Sequence, residues 1–229
     1  MYLLVFLITL AISLFASFRV KRMIARYSLV PASGGYSGAQ TAQLILNSQG
    51  IHDVQIVEGQ GILGDHYDPI RKQLVLSPDI YRGASTAAVG IAAHECGHAI
   101  QHQHAYAPLQ LRMAAVGATQ FAGQIVGILP FLFLFTHIIS IYTGLMAMAI
   151  AWGVIMLFNL VTLPVEFDAS RRAKAILPSL GIIRGSGEVN AVNQVLNAAA
   201  WTYVAAFLTS LVYFLMYVLP LLLGGGRRR

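Results

Sequence analysis

The residues of this chain best suited to chemistry lie in one stretch, His94 to His98, which reads His-Glu-Cys-Gly-His. On a helix, two histidines four residues apart project from the same face, close enough to bind one Zn²⁺ ion together. The carboxylate of Glu95 then lies beside the ion, where it can take a proton from a water whose pKa the metal has lowered. The spacing therefore predicts two zinc ligands and a general base for hydrolysis.

The residues around this stretch favour a metal site over its alternative, an ordinary amphipathic helix that carries His and Glu by chance. Residues 91–93 and 99–100 are apolar, and polar groups in apolar surroundings are costly to desolvate unless something binds or pairs them. Gly97 is a weak helix former beside the second histidine. Its presence indicates that another backbone or a substrate approaches closely at this point.

A zinc hydrolase needs a third protein ligand and one open position. His102 continues the row of histidines, but along a straight helix it would lie about 12 Å from His94, too far for both to bind one ion. We interpret His102 and His104 as polar residues at the C-terminal end of the helix, where the helix dipole favours them when protonated. Glu166 follows a long apolar span and Pro164. It opens a second helix-compatible run and is the predicted third ligand.

The composition is that of a membrane protein. Of the 229 residues, 57% are hydrophobic and 10% are charged, which is too apolar for an ordinary soluble domain. We predict a mainly α fold with about four transmembrane helices: an N-terminal anchor over residues 1–18, a hairpin over 113–163 and a C-terminal helix over 200–223. The hairpin sends the chain out and back, so that Glu166 returns to the side of the membrane that holds the two histidines.

Two polar segments lie between these spans. Residues 19–112 are predicted to form the catalytic domain, and residues 164–199 form a second segment that carries the third ligand. Basic residues cluster beside the spans in both segments, so the positive-inside rule places the site in the cytoplasm of a multi-pass protein of the cell membrane. The basic tail, residues 224–229, opposes this orientation, because the last span would place it outside.

The catalytic domain is predicted to be a small α+β unit built around the metal-binding helix, at about residues 84–103. Residues 39–47 have helical spacing, and residues 54–57 and 73–76 alternate as strands do. Two or three short strands would form a small sheet. The edge of such a sheet can pair with an extended peptide substrate.

A second polar cluster, residues 65–69, reads Asp-His-Tyr-Asp-Pro. Asp and Pro are the residues that a tight turn requires, and we interpret the cluster as the turn that joins the two strands, together with Gly61 and Gly64. A role for His66 or Tyr67 as a donor in an active site is the alternative.

The remaining composition narrows the class of protein. The net charge of +6 comes from basic residues beside apolar spans, and no nucleic-acid motif accompanies them. We therefore expect a lipid bilayer and a protein or peptide substrate as partners, and no nucleic acid.

The single cysteine, Cys96, points away from the ligands and is interpreted as a packing residue. The spans contain almost no ionisable residues, unlike those of ion transporters. A metal-binding sensor or scaffold without catalytic activity is the alternative to a hydrolase.

Two segments carry a resemblance to a known family. Residues 92–102, Ala-Ala-His-Glu-Cys-Gly-His-Ala-Ile-Gln-His, and residues 163–173, Leu-Pro-Val-Glu-Phe-Asp-Ala-Ser-Arg-Arg-Ala, resemble the YugP-type neutral zinc metallopeptidases of bacterial membranes. The polar cluster, residues 74–78 and the four-span plan also match. More distantly, the plan is similar to that of the HtpX-type gluzincin proteases.

The resemblance implies a membrane-embedded, zincin-like metalloendopeptidase with an HExxH helix, whose active site faces the cytoplasm. Glu95 would activate the water that attacks the peptide bond. Zn²⁺ would be bound by three residues: His94, His98 and Glu166.

One position departs from the HtpX pattern, in which an Asp four residues after the ligand Glu orients a zinc histidine. Ser170 occupies that position here, and the nearest acid, Asp168, is two residues after Glu166, about 200° around a helix. We therefore interpret Asp168 as the ion-pair partner of Arg171 or Arg172.

Overall fold

The computed structural model of the protein describes residues 2–60, 64–136 and 140–224. Within these ranges the chain is mainly helical, with a small sheet between the second and third helices. The elements follow one another in this order: α1 (Tyr2–Tyr27), α2 (Gly38–Ser48), β1 (Gln55–Glu58), β2 (His66–Asp68), β3 (Gln73–Leu76), α3 (Pro78–Arg82), α4 (Thr86–Gln103), α5 (Ala107–Thr136), α6 (Ile141–Ser179) and α7 (Gly185–Gly224).

Four of these helices, α1, α5, α6 and α7, contain stretches long and apolar enough to cross a membrane. The stretches are Leu3–Tyr27, Ala107–Leu132, Ile141–Ser179 and Gly185–Leu223. The prediction of a mainly α membrane protein with four apolar spans is confirmed to this extent. The predicted tip of the hairpin, His137, and the tail from residue 225 onward lie outside the described residues, as does Gly61.

The membrane-length helices extend well beyond the apolar runs. α6 has 39 residues and passes through Pro164 without ending, whereas the sequence predicted that a second helix begins after this proline. A proline removes one backbone hydrogen bond of its helix. In membrane helices this loss is tolerated, because groups on neighbouring helices can satisfy the freed carbonyl. α7 begins at Gly185, so that residues 200–223 form only its second part. Glu166 therefore lies on the same helix as a membrane-length stretch.

The small sheet has the strand order β1-β3-β2, with β1 parallel and β2 antiparallel to β3. Its strands β1 and β3 match the predicted strands at 54–57 and 73–76 to within one residue. Leu74 and Leu76 point inward and are fully buried, as the alternation predicts. The predicted helix at 39–47 is α2, which begins with a capping box formed by Ser37 and Gln40.

The turn predicted over residues 65–69 is wrong for its central residues, because His66–Asp68 form strand β2. The turn follows at residues 69–72. Asp68 accepts hydrogen bonds from the backbone N–H groups of Ile70 and Arg71, which is the conformational role expected of Asp in a turn. The carboxylate of Asp65 accepts from Ser77.

The hydrophobic core surrounds α4, which packs against α2, α3, α6, α7 and the sheet. Nearly all of its residues from Thr86 to Gln101 are buried, because apolar elements cover it on several sides. Small residues such as Ala92 and Ala93 allow these neighbours to approach closely. The core thereby holds the helix with the predicted metal ligands in a fixed position.

Candidate metal centre

The structure brings His94, His98 and Glu166 together. The two histidines lie one turn apart on α4, and the glutamate faces them from α6. One oxygen of Glu166, Oε2, lies 3.2 Å from Nε2 of His94 and 3.6 Å from Nε2 of His98. The ligand atoms of all three residues lie within 4.8 Å of one another, and all three side chains are buried.

This spacing suits a zinc ion. Bonds of about 2.0–2.1 Å in a tetrahedral site place the ligand atoms about 3.3 Å from one another, and the two measured distances of 3.2 and 3.6 Å are close to this value. Two histidines and one carboxylate are also a ligand set of catalytic zinc sites, in which the fourth position stays open. The donor set therefore fits the ion in its chemistry, and the distances of Glu166 to both histidines fit it in geometry.

Gly97 makes the approach of α4 to α6 possible. A Cβ atom at this position would lie 2.7 Å from the carbonyl oxygen of Ala169 and 2.9 Å from its Cα atom, closer than packed atoms allow. The predicted close approach at Gly97 is thus confirmed, and the neighbour is the backbone of α6. A side chain here would push α6, and Glu166 with it, away from the two histidines.

Gln101 determines which nitrogen of His98 carries the proton. Its amide nitrogen donates to the carbonyl of Val165 and to Asp168, at 2.7 and 3.0 Å, so its amide oxygen faces Nδ1 of His98, at 3.0 Å. An amide oxygen only accepts hydrogen bonds, and Nδ1 of His98 therefore donates. In the neutral imidazole this leaves Nε2 unprotonated and directed at the metal position.

Ser170 contacts His94 as Gln101 contacts His98. Its hydroxyl oxygen lies 3.1 Å from Nδ1 of His94. The hydroxyl of Ser170 thus makes the contact at the position where the sequence departs from the HtpX pattern.

Asp168 pairs with both Arg171 and Arg172, the second at 2.6 Å. The predicted ion pair is confirmed. Because the same carboxylate also accepts from Gln101, it supports His98 through the amide. Sequence reasoning missed Gln101, although its position three residues after His98 on α4 places it on the same helix face.

Arg112 holds the second oxygen of Glu166. Its Nη1 atom donates to Oε1 at 2.6 Å from the first part of α5, and the Tyr203 side chain of α7 faces the same carboxylate. Neither residue was assigned a role from the sequence, because they lie 54 and 37 residues from Glu166 in the chain and no local pattern links them. One oxygen of Glu166 thus faces the two imidazoles and the other faces a guanidinium.

The pKa of His98 reflects two opposing effects. Burial lowers it, whereas the carboxylates of Glu166 and Glu95 raise it, and the net result is a pKa above the ordinary value for histidine. The carboxylates therefore favour a positive charge at this position, which a divalent cation also supplies.

Glu95 lies beside the ligand group and has no partner in it. The side chain is 8% exposed, and it makes no hydrogen bond or ion pair with any residue in the described ranges. A buried carboxylate without a partner is costly unless it interacts with a ligand or a water. This is the arrangement expected of a general base.

Cys96 and His102 lie outside the ligand group, as predicted. Cys96 is fully buried, its sulfur lies 3.8 Å from the carbonyl of Ala42, and burial raises the pKa of its thiol well above the ordinary value. His102 lies 2.9 Å from the Tyr67 hydroxyl through Nδ1. Burial raises the pKa of Tyr67 to about 12, so that this phenol stays protonated.

The fold and the site together define a membrane protein with a candidate metal centre of two histidines and one glutamate. The chain belongs to the family described as "Putative neutral zinc metallopeptidase", whose sequence profile matches residues 2–222. It is 44% identical over 215 residues, or 94% of each chain, to the "Putative membrane protease YugP" of Bacillus subtilis (strain 168). No solved structure matches this chain significantly. The resemblance to the YugP-type family that was found in the sequence is confirmed.

Proposed function

We propose that this protein is a membrane-embedded, zinc-dependent metalloendopeptidase that hydrolyses peptide bonds through a zinc-activated water. The observation that carries the proposal is the unpaired, nearly buried carboxylate of Glu95 beside three converging ligand atoms. A site that only stores or senses a metal does not need such a group. The family of zinc metallopeptidases to which the chain belongs supports the same conclusion.

The residues of the site have separate tasks in this reaction. His94, His98 and Glu166 would hold a zinc ion, which would supply a Lewis acid to polarise the scissile carbonyl and lower the pKa of a water. Glu95 accepts the proton of the attacking water and then passes it to the leaving amine. Gln101 keeps the His98 proton on Nδ1, so that the ligand nitrogen stays free.

The proposed substrate is a protein or peptide in an extended conformation. β2 is an edge strand of the sheet and contacts α4. An extended backbone added to this edge would run beside the helix that carries Glu95, and strand addition is a common way to hold a peptide. The Tyr67–His102 contact joins β2 to the end of α4 and supports this edge.

We also propose that the site faces the cytoplasm in a multi-pass protein of the cell membrane. The support is the cluster of basic residues that follows the first apolar run within α1, since positive charge beside a span favours the cytoplasmic side. The basic residues of α6 beyond Glu166, among them Arg171 and Arg172, point to the same side.

The test combines metal content with cleavage by the full-length protein. Zinc is measured by mass spectrometry in the wild type and in the Glu166→Ala and Glu95→Gln variants, and cleavage is measured with casein or a model membrane peptide. We expect Glu166→Ala to lose zinc, and Glu95→Gln to keep zinc and lose cleavage. The exposed pair of Glu58 with Arg82 provides the matched control, because Glu58→Gln should change neither readout.

Two results would refute the assignment. Full zinc content and activity in Glu166→Ala would mean that the third ligand lies elsewhere. A wild type that holds zinc but cleaves no substrate would favour a metal-binding sensor or scaffold.

A further inference from the structure

A groove opens on the outside of the bundle between α1, α6 and α7. Its polar part has a volume of about 650 Å³ and its apolar part about 470 Å³, and the two parts share Arg19, Trp201 and Val204. We call these two adjoining parts the interfacial groove. It is continuous from a charged mouth to an apolar slot.

The groove lies where all three helices change from apolar to polar. Arg19 is the first charged residue after the apolar run of α1, and Lys174 follows the apolar part of α6. On α7, Asn197 and Trp201 mark the same change. Trp201 is 52% exposed, and tryptophan is enriched where hydrocarbon meets the headgroup region of a bilayer. The charged mouth therefore lies at the height of lipid headgroups.

The mouth of the groove is positively charged and lacks a matching acid. Arg19 makes no ion pair with any residue in the described part of the chain, and Lys174 bonds only the neutral amide of Asn197 there, at 2.7 Å. The third cation, Arg171, shares the carboxylate of Asp168 with Arg172. No Asp or Glu lines either part. Two cations at this height are thus available to an anion.

The slot below the mouth is apolar and narrow. It lies between the Ile12–Ala16 face of α1 and the Val204–Leu208 face of α7, and Arg19 is its one charged lining residue. Its volume of about 470 Å³ is close to the volume of one turn of a helix about 10 Å across. The small volume and the apolar lining of the slot suit a thin, flexible hydrocarbon chain.

We propose that the interfacial groove binds one anionic phospholipid. Arg19 and Lys174 hold its phosphate, and one acyl chain lies in the slot between α1 and α7. Basic pockets between membrane helices bind anionic headgroups in this way. A zwitterionic lipid presents a cationic group of its own to the same two residues and is bound less well. The inference does not depend on the proposed peptidase activity.

The test measures lipid retained by the full-length protein in detergent micelles. Native mass spectrometry counts phosphatidylglycerol or phosphatidylcholine bound after each is added at equal concentration. We expect the wild type to retain phosphatidylglycerol preferentially, and each of Arg19→Gln and Lys174→Gln to weaken retention about fivefold. Arg22→Gln is the matched control, because it removes the same charge from α1 at an exposed position and should retain the lipid as the wild type does.

Further arms separate charge, fold and acyl chain. Arg19→Lys keeps the charge and should retain the lipid, whereas loss of binding in this variant would refute a charge-based site. Soluble glycerophosphoglycerol, which lacks acyl chains, should not displace the lipid, and equal competition by it would refute the role of the slot. Equal retention of both lipids by the wild type, or unchanged retention in Arg19→Gln, would overturn the proposal.

Discussion

The two oxygens of Glu166 have different partners, and this division defines the site at the scale of single residues. Oε2 faces both histidines, and Oε1 accepts from Arg112. The guanidinium keeps Oε1 of the carboxylate directed away from the two histidines. In the proposed zinc site, a carboxylate held in this way would bind with one oxygen and would leave a coordination position for water or substrate.

Removing Arg112 should weaken metal binding without removing a ligand. We expect Arg112→Gln to bind zinc about 10 to 100 times more weakly, as is typical when the partner of a ligand is lost. Competition with a zinc-binding dye measures this affinity. Arg71→Gln is the control, because Arg71 pairs with Asp68 on the surface. An unchanged affinity in Arg112→Gln would show that the guanidinium does not orient Glu166.

The thiol of Cys96 should be inert in the folded protein. Its pKa is raised by burial, so that at pH 8 it stays protonated, and the thiolate is the reactive form. We expect a maleimide to label it only after denaturation, whereas a cysteine introduced by Ser48→Cys at an exposed position should react at once. Rapid labelling of Cys96 in the native state would contradict its role as a packing residue.

The sequence predicted the residues whose roles follow from spacing and missed those whose roles follow from packing. His94, Glu95 and His98 follow from the geometry of one helix. Glu166 follows from the return of the chain through the hairpin. Arg112 was not predicted, because its partner Glu166 lies 54 residues away in the chain. The contact of Gln101 with His98 is local, but the orientation of its amide depends on Asp168, 67 residues away.

At the scale of elements, the contact of α4 with α6 determines the distance between the ligands. Gly97 lies at this contact, where even a methyl group would meet the backbone of α6. The position of Glu166 along α6 supplies the third ligand only while the two helices stay this close. The glycine is therefore a structural requirement of the metal centre.

Gly97→Ala should separate the two helices and weaken the site. We expect a loss of about 1–3 kcal/mol in the free energy of unfolding, as for other overpacked positions, together with a lower zinc affinity. Gly90→Ala is the control on the same helix, because the added Cβ would meet only Val192 side-chain atoms at 3.4 Å or more. Thermal unfolding and zinc titration of both variants measure the effect. Equal behaviour of the two would refute the close-contact argument.

The elements themselves were predicted unevenly. The strands β1 and β3 and the helix α4 follow from local periodicity and were placed to within about two residues, which is the usual uncertainty of element ends. The strand β2 was not found, because its residues are also those of a turn. The ends of α6 and α7 were not found, because hydropathy marks where a helix is apolar and not where it ends. Pro164 was interpreted as a boundary because a proline usually ends or begins a helix. In the structure α6 continues through it, packed against α5 and α7.

At the scale of the whole molecule, the ligands come from both sides of a membrane-length hairpin. α4 precedes α5, and Glu166 lies in the second part of α6. No contiguous soluble piece of the chain contains the complete set. The metal centre is therefore a property of the assembled bundle.

Dividing the chain at the hairpin should show this directly. Residues 1–137 contain both histidines, and residues 138–229 contain Glu166. We expect neither half to hold zinc when it is expressed in membranes alone, and zinc to return when the halves are expressed together and assemble. Each half carries an affinity tag and is purified from the membranes, and its zinc content is then measured by mass spectrometry. Stoichiometric zinc on the first half alone would exclude Glu166 as a ligand.

The order of the elements along the chain also determines when a newly made molecule becomes able to cut. The ribosome releases α4 well before the part of α6 that carries Glu166, and two stretches of membrane length separate them. In the proposed enzyme, a chain that has missed its membrane lacks the third ligand and is harmless to other newly made proteins in the cell. In such an enzyme, correct insertion would switch on proteolysis, the role that removal of a propeptide has in many secreted proteases.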